Sequence, residues 1–588
     1  MADLNQGKMI RDISIIIAGN AGDGVLFTGN VLARILKREG WEVVTCRDFP
    51  SNIRGEATHY LIRASLDRIY GRGDEVNVLL AFNCQAVFKH VNSIAPGGVV
   101  FCDGEGIDSL PKEQKRGKTF HRFLLRKMAK ERFGQEIFKN MIALGALSYV
   151  LDLNHQVLEQ IIAALFLKKK GQDIVDKNVQ ALMLGWTGAK EMVMEEERHP
   201  LLKKEDRGRI FLSGDEAIAL GALAAGCRFF AAYPICPASE IWQWLVLYMP
   251  EFNGAVVQTE DELAALNMVL GAACAGTRAM TATSGPGASL MMEAFSLAGM
   301  AEIPAVVAHV QRVGPATGTP TKTEQSDISQ WIFGSHGDFP RIVLAPGTIE
   351  ECFALTVKAF NLAEKYQCPV VLMTELDMGQ DFRTAREFDL KGIRIERGKL
   401  LTQEELSRIR DFKRYEITAD GVSRRALLGM KNGLHMVEGN EHGEKGYRDE
   451  DPDIRLRMMD KRMKKLETAA PDLVPSAFWG DERANLGLVG VGSTLGAIVE
   501  AQRQLAAEGV KTKFLQIRTL WPFPAEEVKK FLRGCESVFV IENNFSGQLA
   551  SLIRSQVDFG PPLQSILKYS SLPFRPAEIS DEIRRTLR

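Results

Sequence analysis

A strand-length apolar run, a glycine turn and a helically spaced segment follow one another without interruption in "ISIIIAGNAGDGVLFTGNVLARILKREGWEVV". Val31, Leu32, Ile35 and Leu36 recur at helical spacing, and a second strand-like run begins at Glu42 to Val44. The apolar period thus changes from strand to helix and back within one βαβ-sized opening, which points to an α/β fold. Further strand-like runs, "VNVLLAFN" and "GGVVFCD", carry this pattern to about residue 185. At 588 residues the chain exceeds several times the roughly 150 residues of one domain, so more blocks are expected.

The blocks are delimited by charge. The first, residues 1–190, is followed by "KEMVMEEERHPLLKKEDRGR", whose mixed charges and lack of a sustained apolar face predict an exposed linker over 191–209. A second α/β block, 210–379, contains the short buried strands "AVVAHV", "RIVLAP" and "PVVLMTE". Residues 380–472 are dense in Arg, Lys, Glu and Asp and read as an insertion with a helix near "DIRLRMMDKRMKKLETAA". A last α/β block, 473–588, opens with "NLGLVGVGSTLGAIVEAQRQL".

Charge and cysteine usage exclude several classes. Lys+Arg 73 against Asp+Glu 74 leaves a net charge of −1, with no global basic field for nucleic acid or an anionic membrane. The nine cysteines form no C-x-x-C and no Cys/His set with zinc spacing, so no metal site is expected on this chain and any iron–sulfur cluster belongs on another. No apolar run reaches the ~18 residues of a membrane span, and the expected location is cytoplasmic.

Five stretches bear on chemistry. "GNAGDG", with Gly19, Gly22 and Gly24 between strand and helix, fits an anion site at a helix N-terminus or a tight structural turn. "YPICPASE" frames Cys236 with Pro234 and Pro237, restricting the backbone around a thiol; a buried structural cysteine also fits there. "TSGPGASLMMEAF" sets Thr283, Ser284, Gly285 and Gly287 at a strand end that opens a helix, where glycines admit a ligand or partner chain, although a buried turn needs only one of them. "QRVGPATGTPTKTEQSD" follows a strand and begins with Arg312, either a solvated cation or a binding group. In "VVQTEDELAALNMVLGAACAG", Glu260, Asp261 and Glu262 precede an apolar helix. They complement its dipole, or one of them enters its apolar environment and shares a proton with a ligand base.

Taken together, "YPICP", "EDELAAL", "TSGPG", "QRVGPATGTPTKTEQ" and "HGDFPRIVLAPG" resemble, in order and spacing, the α subunit of 2-oxoacid:ferredoxin oxidoreductases, which are thiamine diphosphate enzymes. "VGSTLGAIVEA", "LWPFP" and "VIENNFSGQLASLIRSQ" resemble the family's transketolase-C-like core domain. The glycine turn with "NIRGEATHYLIR" resembles its γ domain. The resemblance covers nearly the whole chain outside the charged insertion, and implies a γ–α fused subunit: a γ-like α/β domain, a pyrimidine-binding-type domain and a transketolase-C-like domain.

By that resemblance, Glu262 pairs with the aminopyrimidine N1′, Arg312 grips the substrate carboxylate, and Tyr233 and Cys236 line the substrate loop. Thr283, Ser284, Gly285 and Gly287 contact the cofactor, and Gly19, Gly22, Gly24 and Arg54 are possible contacts for an anion or coenzyme A. Glu260 is left as an ordinary helix-start acid. A separate β subunit supplies the diphosphate and Mg2+ half of the site and a [4Fe–4S] cluster. Ferredoxin takes the electrons, coenzyme A is co-substrate, and the expected assembly is (αβ)2. Two positions depart from the family pattern: the usual threonine of "YPITP" is Cys236, and the usual "RGG" reads Arg54, Gly55, Glu56. The implied reaction is CoA-dependent oxidative decarboxylation of a 2-oxoacid, with 2-oxoglutarate favoured over pyruvate, branched-chain or aryl 2-oxoacids. The other reading is a noncatalytic CoA-binding or assembly scaffold, against which stand both Glu262 and Arg312.

Overall fold

The computed structural model describes residues 9–50, 55–558 and 560–587 and divides into two compact units. The first runs to Leu212 and also takes Asp381–Glu387; the second holds Ser213–Gln380 and the chain from Phe388 onward.

The first unit is built on one eight-stranded sheet, in the order Thr119–Arg122, Ile94–Cys102, Val76–Ala81, Asp12–Asn20, Ala57–Ser65, Glu42–Asp48, Arg383–Ala385, Ile210–Leu212. The strand Asp12–Asn20 pairs in parallel with Val76–Ala81 and antiparallel with Ala57–Ser65. The helix Val25–Arg38 buries Val31, Leu32, Ile35 and Leu36 against this sheet, as their spacing predicts.

Two boundaries differ from the sequence expectation. The stretch 191–209 is not a free linker. Its His199 and Leu201 N–H groups donate to Val150 and Leu151 carbonyls at 2.9 and 3.0 Å, and Leu201 is buried. Backbone bonds and one or two apolar anchors hold it, too few to register as an apolar face. The expected insertion also begins differently: Arg383 pairs with Val44 on one side and with Leu212 on the other. Thr45 and Phe382 exchange hydrogen bonds beside this strand, the Phe382 N–H donating to Thr45 Oγ1 at 2.8 Å. A three-residue strand is too short to leave a period in the sequence.

The second unit contains two mainly parallel sheets over one core that joins Val307 and Val371 to Val489 and Val540. The seven-stranded sheet runs Thr519–Trp521, Ile342–Leu344, Pro369–Glu375, Ala305–Gln311, Ala279–Thr283, Phe229–Ala232, Ala255–Gln258. The five-stranded sheet runs Ala477–Gly480, Thr512–Gln516, Leu486–Gly490, Ser537–Glu542, Leu563–Leu567. Thr519–Trp521, from the last block, completes the edge of the first of these by antiparallel pairing with Ile342–Leu344.

The insertion's helix forms at Pro452–Ala469, but its charges do not simply face water. Lys461 and Lys465 are fully buried on the two oxygens of Glu302, each at 2.5 Å. Burial alone would raise the Glu302 carboxyl; the two ammonium groups override it and hold it far below the usual range. Arg462, also buried, binds Glu441 through two nitrogens at 2.9 and 2.7 Å.

Candidate functional site

In the seven-stranded sheet, register brings the sequence motifs to one edge. Ala232 lies opposite Gln258, Thr283 opposite His309, and Gln311 opposite Glu375, all at the carboxyl ends of parallel strands. Tyr233, Glu262, Ser284 and Arg312 each follow one of those ends, the position where α/β sheets bind ligands.

Glu262 is the first residue of the helix Glu262–Cys274 and is 5% exposed. Asp261, rather than Glu260, is the helix-start acid: its carboxylate accepts the Ala264 N–H at 2.7 Å, while Glu260 is exposed. With the cap position taken by Asp261, the Glu262 side chain is free to turn inward. It lies against the helix Gly285–Met300 at Gly287, where an added Cβ would stand 2.5 Å from Glu262 Oε1 and 2.1 Å from Thr283 Oγ1. Any side chain at 287 would displace the carboxyl. Burial raises the Glu262 carboxyl above its ordinary range, and the neighbouring Asp261 charge adds to this while Arg312 opposes it.

Arg312 follows the strand Ala305–Gln311 and is 6% exposed. One guanidinium nitrogen donates to the Cys236 carbonyl at 2.8 Å, and the Nε–H is buried without a partner. The Ser284 hydroxyl, at the strand-to-helix turn, is likewise buried and unpartnered. Unsatisfied buried donors of this kind cost free energy unless a ligand takes them up. Glu262, Thr283, Ser284, Gly287, Arg312 and Cys236 therefore converge. Cys236 contributes its carbonyl to Arg312, while its thiol donates to the Pro320 carbonyl at 3.2 Å and is pushed up to about 11 by burial. Tyr233 is 42% exposed at the rim. Gly285 faces Asp327, whose Oδ2 would lie 3.2 Å from an added Cβ.

Sequence reasoning missed the support beneath these groups. His309, fully buried, bonds Asp327 Oδ2 through Nε2 at 2.9 Å, and Gln311 Oε1 accepts the Asp327 N–H. Gln325 ties the same loop to the five-stranded sheet, its N–H donating to Asn543 O at 2.7 Å and its amide to Val491 O at 2.9 Å. The signal was present in "TEQSD", but it lacks a meaning until the partners 166 to 219 residues away are in place.

In the first unit the glycine turn is filled by its own acid. Asp23 accepts the Asn20 N–H at 2.9 Å and binds Arg126 and Lys139, each at 2.8 Å. Burial opposes its charge, and these partners still hold the carboxyl below its ordinary value. Gly24, with φ 87°, packs against Asn140, whose side chain would meet an added Cβ at 2.2 Å. Gly19 closes on Phe82, and Gly22 stands open. The tight-turn reading accounts for Gly19 and Gly24. Arg54 lies outside the described residues.

Comparison with known proteins matches the chain to the family that its motifs resemble, and the match over residues 220–461 also takes in most of the charged stretch that the resemblance had left out. Residues 14–187 match the family described as pyruvate ferredoxin/flavodoxin oxidoreductase, residues 220–461 pyruvate flavodoxin/ferredoxin oxidoreductase, thiamine diP-bdg, and residues 484–572 pyruvate:ferredoxin oxidoreductase core domain II. The chain is 34% identical to 2-oxoacid:ferredoxin oxidoreductase 2, subunit alpha, of Aeropyrum pernix, over 98% of both chains. It is 36% identical to the 2-oxoglutarate synthase subunit KorA of Methanothermobacter thermautotrophicus, over 63% of this chain and 97% of that one. Among solved structures, 2-oxoglutarate:ferredoxin oxidoreductase from Magnetococcus marinus, with 2-oxoglutarate, coenzyme A and succinyl-CoA bound, matches at TM-score 0.92 and 35% identity, over 98% of this chain and 100% of that one.

Proposed function

The chain belongs to the 2-oxoacid:ferredoxin oxidoreductases as an α subunit, and from that premise we propose that, with a β partner, it converts 2-oxoglutarate and coenzyme A to succinyl-CoA and CO2, passing electrons to ferredoxin. The observation that carries this reading is the buried Arg312, whose Nε–H lacks a partner, in electrostatic contact with the buried Glu262. A planar guanidinium with a free edge suits a carboxylate.

The donor set fits thiamine diphosphate: an inward carboxyl on a glycine cradle and an orphaned Ser284 hydroxyl. Glu262 would hold a proton at the pyrimidine N1′, and Thr283, Ser284, Gly285 and Gly287 would line that ring. The bound cofactor supplies a carbon nucleophile and an electron sink. Arg312 binds and orients the 2-oxoacid carboxylate, and its bond to the Cys236 carbonyl fixes the guanidinium. Cys236 and Tyr233 shape the substrate side of the pocket.

Mg2+ and a [4Fe–4S] cluster are assigned to the β partner. Support for such a partner comes from the elements that carry the site, which leave Tyr233, Leu247, Leu263 and Leu290 exposed, 39% or more each. Coenzyme A as co-substrate is supported by the Magnetococcus relative, described with coenzyme A bound. The Asp23-filled glycine turn favours packing over contact with its phosphates. A cytoplasmic (αβ)2 assembly completes the proposal; no helix among the described residues is long and apolar enough to cross a membrane.

The test is to purify the complex with its β partner and measure CoA-dependent reduction of a viologen dye across a panel of 2-oxoacids, with the single chain as control. The expected result is activity only in the complex, with kcat/KM highest for 2-oxoglutarate. A higher value for pyruvate or a branched-chain acid overturns the substrate. Absence of activity with every acid overturns the reaction.

A further inference from the structure

Cys84 is the first residue of the helix Cys84–His90, and Cys102 is the last residue of the strand Ile94–Cys102, both in the first unit. Adjacent parallel strands bring them together, since Ala81 lies opposite Cys102 and the chain leaves that strand toward Cys84. Their sulfur atoms are 3.0 Å apart. Closing that gap to the ~2.05 Å of a disulfide takes about 1 Å of movement. Neither thiol has a role in the site described above.

The two sulfurs differ in access. Cys102 is fully buried, and burial, reinforced by Cys84, pushes its thiol far up. Cys84 is half-buried and donates to the Glu105 carbonyl at 2.8 Å. The loop over it is bare: added Cβ atoms on Gly104 and Gly106 would stand 3.4 and 3.9 Å from its sulfur, and Glu105 and Gly106 are exposed. A purely structural pair of cysteines, filling space as small hydrophobes, would bury both thiols beneath side chains.

We propose that Cys84 and Cys102 are a thiol pair that forms a reversible disulfide by exchange with a small-molecule disulfide. Cys84 attacks one sulfur of the reagent as thiolate; the reagent's S–S bond breaks, and one small thiol leaves. The thiolate so released takes the proton of Cys102, which attacks the Cys84 sulfur and expels the second small thiol, this one protonated from solvent. Two protein thiols are oxidised, and one small disulfide is reduced to two thiols. The new bond would fasten the start of a helix to the end of a strand, next to Asp103, which accepts the Arg126 N–H at 3.3 Å. Arg126 in turn holds Asp23 in the glycine turn.

The experiment treats the full chain with oxidised glutathione under argon, blocks free thiols with iodoacetamide, and maps peptides without reduction. The expected result is loss of both carbamidomethyl groups at Cys84 and Cys102, a peptide pair linked through them, and full recovery after dithiothreitol. Cys102→Ser should stop at a glutathione adduct on Cys84, and Cys84→Ser should leave Cys102 unmodified. Complete alkylation of both residues at an oxidant excess that modifies other thiols overturns the proposal. So does a linkage of either cysteine to a different partner, or a wild-type chain that stops at the glutathione adduct.

Discussion

In the reaction proposed above, Glu262 and Arg312 divide the work of the site by charge, and for each a substitution that keeps shape tests the role assigned to it. Glu262→Gln retains the packing against Gly287 but cannot hold a titrating proton, so turnover of the complex should fall by about 10²-fold or more, with thermal stability kept. Wild-type turnover in a folded variant would move the role to another carboxyl, Glu260 first. Arg312→Lys keeps the charge but loses the planar fork. KM for the preferred 2-oxoacid should rise at least about tenfold while cofactor affinity stays the same; an unchanged KM rules out carboxylate binding by this residue. The placement of both residues was legible in the sequence because one directly follows a strand and the other opens a helix inside a recognisable motif. The choice of cap was not: three consecutive acids compete for one position, and only the backbone geometry of Asp261, φ −153° and ψ 177°, decides which of them caps and which turns inward.

At the scale of elements, Glu375 joins the last residue of the strand Pro369–Glu375 to the start of the helix Thr494–Ala507, its carboxylate accepting the Ser493 N–H at 2.6 Å. Burial pushes this carboxyl up to about 7 despite that bond. Because its folded value is raised, the proton is bound more tightly in the folded chain than in the unfolded one. The resulting stability is fully present below the ordinary value of 4.5 and is lost as pH rises through about 7. Its size is at most about 3.5 kcal/mol, at roughly 1.4 kcal/mol per pKa unit. Denaturation midpoints should therefore fall between pH 5 and pH 8, and Glu375→Gln should flatten that slope. An identical slope in the two proteins would falsify the assignment to this residue. The sequence shows a strand ending in glutamate, but its helix partner begins 118 residues later, so this junction is invisible before folding. The insertion teaches the same point: its helix was legible from composition, whereas the burial of Lys461, Arg462 and Lys465 depends on Glu302 and Glu441, acids outside that helix.

For the molecule as a whole, the α/β character was readable because each strand–turn–helix passage is local. The assignment of residues to compact units was not, since it depends on the strand Arg383–Ala385 returning to the first sheet between Glu42–Asp48 and Ile210–Leu212. That return makes the first unit discontinuous along the gene. A fragment stopped after Leu212 would leave Ile210–Leu212 without its neighbour and open the Glu42–Asp48 edge to pairing with other chains. Such a fragment should aggregate on its own and become monodisperse in size-exclusion chromatography when a synthetic peptide spanning 381–387 is added. A fragment already monodisperse without the peptide would show that strand to be dispensable. No single cut of the coding sequence can then liberate the first unit intact: shuffling or transplanting it requires moving two separated exon-like pieces together, and this topological tether constrains how the fusion could be undone by recombination.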